Sequence, residues 1–164
     1  DDILDFSRIE SGTFDYHITE TDIKEICGEV FLASSLKMKP GVTLVFDKDL
    51  PSIRLKTDPQ RIMQVVSNFV NNAIKFTEEG SITISYKKEG NNLRVSVQDT
   101  GIGISEKNRS RIFERFIKIN EFKQGTGLGL TISKTIIENL QGTIGVDSVQ
   151  GSGSTFWFTL PLTF

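Results

Sequence analysis

Apolar residues recur along this chain with two different periods, and the switches between them mark out its elements. After Asp58-Pro59 they fall at Ile62, Val65, Val66, Phe69, Val70, Ala73 and Ile74, the three-and-four spacing of a long helix with one buried face. Its start is in the preferred order, a capping aspartate followed by proline at the first helical position. The opening DDILDFSRIESG spaces Ile3, Phe6 and Ile9 by threes and closes at Ser11-Gly12, which predicts a helix entered midway and ended on a glycine. TFDYHIT alternates as a short strand, and Thr21-Asp22 caps a helix with Ile23, Ile26, Cys27, Val30 and Phe31 on one face. Pro40-Gly41 precedes a VTLVF strand, and Leu50-Pro51 separates it from SIRLKT. SITISYKK and NNLRVSVQD predict a hairpin turning at Glu89-Gly90-Asn91, and GTIGVDSV with GSTFWFTLPL predict a second. Between the hairpins, residues 104 to 125 read as mixed and partly helical, and TISKTIIENL as a helix ending near Gly142. There is no internal repeat and no low-complexity tract.

Composition narrows this picture without redirecting it. A chain of 164 residues suits one domain, because at that size folding buries roughly 70% of the surface the unfolded chain exposes. A hydrophobic content of 37%, a charged content of 24% and a net charge of −2 describe a soluble globular protein with no global basic field, which argues against a nucleic-acid partner. Cys27 is the single cysteine and lies in the apolar run IKEICGEVFLASSL, where it reads as a small buried hydrophobe in a reducing compartment. No leader pattern opens the chain, and no apolar run approaches the roughly 20 residues of a membrane span.

Four segments carry candidate chemistry. In the helix after Asp58, Gln64, Asn68 and Asn72 stand four apart with Lys75 three further on, so that three amides and an ammonium share a face. One amide there would be an ordinary solvated residue. Four polar groups in register can serve a metal and polyphosphate, since an amide oxygen ligates Mg2+ without adding negative charge. DTGIGI, Asp99 to Ile104, ends a strand; it is either a plain turn or a carboxylate accepting from an adenine amino group, with Gly101 and Gly103 allowing close approach. QGTGLGL, Gln124 to Leu130, sets glycines before a helix N-terminus, a place for phosphate oxygens, although it has neither the Walker nor the Rossmann pattern. GSGSTFWF from Gly151 is by itself a glycine-rich hairpin turn.

Together and in this order the segments resemble one family, the catalytic ATP-binding domain of two-component sensor histidine kinases, within the wider superfamily of gyrase, Hsp90, histidine kinases and MutL. NFVNNAIKFT is similar to the family's N box, DTGIGI to its first glycine box, RIFERF to its F box, GTGLGL to its second glycine box and GSGSTF to its last. DFSRIESG resembles the end of the second helix of the family's dimerisation domain. The resemblance implies an α+β fold, a two-layer sandwich of the Bergerat type with a mixed, mostly antiparallel sheet covered on one face by helices. It divides the chain into residues 1–12, the end of the dimerisation helix, and 13–164, the catalytic domain, with an ATP lid at about 104–125.

The same resemblance implies cofactors and roles. ATP and Mg2+ would bind with Asn72 on the metal, Asn68 assisting at the metal or the phosphates, and Lys75 on phosphate. Asp99 would read the adenine, Gly101 and Gly103 would shape the base pocket, and Thr155 would reach the base through water. Gly125, Thr126, Gly127, Leu128 and Gly129 would wrap the triphosphate, while Phe113 and Phe116 anchor the lid. Arg115 and Lys118 match the basic positions after the F box, although Ile117 stands where an aromatic is usual. A charge count supports the lid independently: residues 104 to 125 hold six cations and three acids inside an acidic chain.

Within that superfamily the ATPases carry a water-activating glutamate four residues before the metal asparagine. Here the position is Asn68, which cannot act as a general base, so transfer to a neutral imidazole is favoured over hydrolysis. The alternatives are an ATPase and a nucleotide-binding module without catalysis. The only histidine, His17, lies in the expected FDYHIT strand and reads as an ordinary residue, so the acceptor is expected on a dimerisation domain mostly outside this chain. A response-regulator receiver domain is the expected next partner. The segment itself is expected to be monomeric and cytoplasmic, and its parent a homodimeric inner-membrane sensor.

Overall fold

The structure is a computed structural model that describes residues 2–12, 15–104, 106 and 129–162. Its elements run α1 (Asp2–Ser11), β1 (Thr19–Asp22), α2 (Ile23–Ser35), β2 (Val42–Phe46), β3 (Arg54–Thr57), α3 (Pro59–Phe76), β4 (Gly80–Glu89), β5 (Asn92–Asp99), α4 (Gly129–Asn139), β6 (Thr143–Val149) and β7 (Gly153–Pro161). Five strands form one sheet in the order β2-β4-β5-β7-β6, and β1 and β3 form a separate antiparallel pair. Only the β2–β4 pairing in the large sheet is parallel. Both expected hairpins are present. That of β4 and β5 turns at Gly90 and Asn91, Gly90 having the positive φ such a turn requires.

Strand alternation decides which face is covered. Leu93, Val95, Val97 and Asp99 of β5 are buried on the same side as Ser154, Phe156, Phe158 and Leu160 of β7. Helix α3 lies across that side, burying Ile62, Val65, Val66, Phe69, Val70 and Ala73, and packs against α2 and α4. Phe69 is fully buried, with its ring 5.4 Å from Phe156 and 6.1 Å from Phe158. The result is the expected α+β sandwich, one layer of helices on one mostly antiparallel sheet. No helix among the described residues is long and apolar enough to cross a membrane.

The start of α3 follows its sequence. Asp58 is extended, its Oδ1 accepts from the Arg61 backbone N–H at 3.1 Å, and Pro59 occupies the first turn. Asp58 Oδ2 also accepts from the His17 backbone N–H at 2.8 Å. This bond corrects the expected FDYHIT strand. Residues 15–18 are irregular, and the first strand is the polar stretch Thr19–Asp22, whose partner is β3. The main chain at His17 therefore serves the α3 cap and not a ladder.

Helix α4 also stops differently in detail. The left-handed position belongs to Gln141, at φ 70°, and the Gly142 N–H closes on the Ile137 carbonyl at 2.8 Å. Glycine at 142 is required for space, because a Cβ there would collide with the Thr159 carbonyl oxygen.

Candidate active site

The amide stripe of α3 is divided between two tasks. Gln64 points to the chain's first helix: its Nε2 donates to Asp5 Oδ2 at 2.7 Å, and its Oε1 accepts from Arg61 at 3.1 Å. Gln64 thus helps hold α1, whose Phe6 and Ile9 rest against the core. One turn later Asn68 is half-buried, and its Nδ2 lies 3.2 Å from the carbonyl of Gly129, which opens α4, and 3.1 Å from Oγ of Ser133, one turn further on. Asn72 and Lys75 follow on successive turns, both half-buried. Lys75 sits in the last turn of α3, where the helix dipole favours a cation.

Asp99 ends β5 at the sheet's covered face and is 4% exposed. Its Oδ1 accepts from the backbone N–H groups of Gly101, at 2.9 Å, and Ser154, at 3.2 Å. Burial raises its pKa, and those two N–H groups oppose the shift. Both bonds fall on Oδ1, and among the described residues Oδ2 accepts none.

The loop after Asp99 is wedged in place. Ile102 N–H donates to the Phe76 carbonyl at the end of α3, and Ile104 N–H donates to Ser148 Oγ at 2.7 Å on β6. Ser148 Oγ in turn bonds the Gly153 carbonyl and Ser154 Oγ, each at 2.9 Å. A Cβ at Gly101 would strike the Phe76 carbonyl oxygen, and one at Gly103, where φ is 72°, would strike that of Val149. The close approach these glycines permit is therefore to the protein's own backbone. Beside them, Thr77 Oγ1 is buried with no hydrogen-bond partner among the described residues.

Thr155 requires a correction. It pairs with Gln98, not Asp99, so alternation points it to the sheet's opposite face. Ser154 is the residue that the register brings beside Asp99. Its signal was present in the sequence, since it shares parity with Phe156, Phe158 and Leu160. Ser133 was also missed, a serine four residues after Gly129 in a helix whose neighbours Ile132, Ile136 and Ile137 are buried. Arg115, Lys118, Phe113, Phe116, Gly125, Thr126, Gly127 and Leu128 lie outside the described residues, as does the expected lid apart from residues 104 and 106.

The donor set fits a magnesium nucleotide. Among the described residues no three acidic, cysteine or histidine side chains converge as a metal cage. The candidate donors on the C-terminal half of α3, Asn68, Asn72 and Lys75, are neutral amides and an ammonium. That combination suits a cation held largely by phosphate oxygens and water.

Residues 57–164 match the family described as histidine kinase-, DNA gyrase B-, and HSP90-like ATPase. Over 98% of its length the chain is 40% identical to sensor protein GacS of Pseudomonas syringae pv. syringae and 38% identical to sensor histidine kinase RcsC of Escherichia coli K12. It spans only 19% and 18% of those proteins. Among solved structures, full-length ShkA in complex with AMPPNP superposes on 99% of this chain and 35% of its own, with a TM-score of 0.88 and 31% identity. The nucleotide-free catalytic domain of histidine kinase ThkA covers 90% of this chain and 97% of its own, with a TM-score of 0.79 and 35% identity. The chain therefore belongs to the histidine kinase-, DNA gyrase B- and HSP90-like ATPase family, as a catalytic ATP-binding domain of the sensor histidine kinase kind.

Proposed function

We propose that this domain binds ATP between the C-terminal half of α3, Asp99 and the start of α4, and passes the γ-phosphoryl group to a histidine on the dimerisation domain of its own kinase. The observation that carries the reading is Asp99. A buried carboxylate is fixed through Oδ1 by two backbone N–H groups, with Oδ2 left to accept from an adenine amino group. The wedged loop of Gly101 and Gly103 holds that carboxylate rigid. Lys75 contacts phosphate, Asn72 and Asn68 offer amide oxygens to a magnesium ion, and Gly129 opens α4 toward the phosphates. Arg115 and Lys118, and Gly125, Thr126, Gly127 and Leu128, are assigned to the phosphates by the family resemblance of their motifs. Mg2+ held by Asn72 and Asn68 would supply charge neutralisation at the phosphates.

Asn68 favours kinase over ATPase chemistry. Its amide cannot take a proton from water, whereas an imidazole nitrogen attacks without such a base. The phosphoryl group then moves to an aspartate of a response-regulator receiver domain. We place the domain on the cytoplasmic side of a membrane-anchored homodimer, with residues 1–12 continuing the dimerisation helix and residues 13–164 forming the catalytic unit.

Thermal unfolding tests the binding half. ATP with Mg2+ at about one hundred times Kd adds roughly 2.7 kcal/mol of stability, which for a domain of this size raises Tm by about 5–10 °C. An unchanged Tm sinks the reading.

A further inference from the structure

We propose that Ser133 is a positioning residue for the nucleotide site: it fixes the side-chain amide of Asn68 with the nitrogen toward α4, so that Asn68 enters the site through Oδ1. This rests on the nucleotide-site reading above and adds a residue to it.

Ser133 is fully buried, and its Oγ donates to the Gly129 carbonyl at 2.8 Å. That bond occupies the hydroxyl's only hydrogen and turns its lone pairs outward. Asn68 Nδ2 meets both groups, the Gly129 carbonyl at 3.2 Å and Ser133 Oγ at 3.1 Å. Nδ2, the carbonyl oxygen and Oγ thus form a nearly equilateral triangle. Its angle at nitrogen is much narrower than the spread of the two N–H bonds of an amide, so one N–H is shared between two acceptors.

The consequence is directional. Were the amide rotated by half a turn, Oδ1 would face the Gly129 carbonyl, and the Ser133 hydroxyl could donate to Oδ1 only by giving up its bond to that carbonyl. The rotated state is costly because the one hydroxyl hydrogen of Ser133 cannot serve Oδ1 and the Gly129 carbonyl together, whereas in the observed state every oxygen of the cluster has a hydrogen. With Nδ2 committed to α4, the oxygen of Asn68 is directed away from that helix. An oxygen is the end of the amide that a hard divalent cation requires. The same cluster joins α3 to Gly129, where the glycine-rich segment enters α4, so the amide and that helix start are set by one contact.

The test is nucleotide binding by the whole chain, with the non-hydrolysable analogue AMPPNP titrated in Mg2+ and again in EDTA. Ser133→Ala is expected to weaken binding about three- to ten-fold in Mg2+, the effect of one neutral hydrogen bond, and to change it less than two-fold in EDTA. Ser133→Thr, which keeps the hydroxyl, is expected to restore most of the loss. Equal weakening of Ser133→Ala in both buffers overturns the positioning role and leaves a simple brace between helices, with the nucleotide site intact. A wild-type chain that binds AMPPNP in neither buffer overturns the nucleotide site as well. NMR of the wild type removes any dependence on how the variants fold. One Nδ2 proton of Asn68 should be hydrogen-bonded and protected from exchange, and a freely exchanging pair at solvent-exposed shifts overturns the proposal.

Discussion

The backbone N–H of Ser154 donates to Asp99 Oδ1 across adjacent strands at 3.2 Å, so that the last hairpin of the fold fixes the carboxylate of the first glycine box. This contact separates what Asp99 does for stability from what it does for a ligand. In Asp99→Asn the amide oxygen can still accept from Gly101 and Ser154, while a donor replaces Oδ2. The variant should fold with undiminished stability and lose about a hundred-fold in ATP affinity, because a donor then faces the adenine amino group. Calorimetric titration beside thermal unfolding checks both halves. A destabilised variant that still binds nucleotide contradicts the assignment.

The raised pKa of Asp99 gives the comparison a pH dependence. A carboxyl whose folded pKa exceeds its unfolded one contributes stability that is fully present below the unfolded value, about 4. That contribution is lost as pH rises through the folded value. Denaturant midpoints of Asp99→Asn should therefore gain on the wild type as pH rises from that range toward neutrality. A gap that is constant with pH counts against burial as the cause.

Gln64 tests whether the amide stripe is one site or two. Its bonds run to Asp5 and Arg61, so Gln64→Ala should leave nucleotide affinity within two-fold of wild type. It should destabilise the docking of α1 by about 1 kcal/mol, one hydrogen bond's worth, because Asp5 keeps Arg61 3.9 Å from Oδ1. Hydrogen exchange of residues 2–12 reads the docking directly. Faster exchange there with unchanged ATP binding is the expected result.

Phe69 is the centre of the core, against Phe156 and Phe158. Phe69→Ala should cost about 3–5 kcal/mol, read as a lowered urea midpoint with unchanged slope.

Burial pushes the Cys27 thiol up to about 12. At pH 8 it should resist alkylation in the native chain and react at the rate of unfolding. Fast labelling under native conditions would place the thiol nearer the surface.

Much of this was legible in the chain because local and tertiary signals agree. Asp58-Pro59 names the start of α3 by cap chemistry, and the spacing from Ile62 to Ala73 names its buried face. The strand Thr19–Asp22 was not legible: TETD is polar, and its pairing with β3 depends on a partner over thirty residues away. The stripe of Gln64, Asn68 and Asn72 marked a face but not its division, which is set by where α1 and α4 dock. The role expected of Thr155 came from the resemblance of GSGSTF to the family's last box, and strand register sets Ser154, not Thr155, beside Asp99. Ser133 was missed because its chemistry exists only once α4 lies against α3.

The central claim is that the site gives its phosphoryl group to a histidine and not to water. Its most direct test supplies γ-labelled ATP and Mg2+ to this chain together with the histidine-bearing dimerisation domain of the same protein. The account predicts an acid-labile, alkali-stable phosphohistidine on that domain, with little phosphate released when it is omitted. Rapid phosphate release from the chain alone, with no phosphohistidine when the acceptor is present, would contradict it.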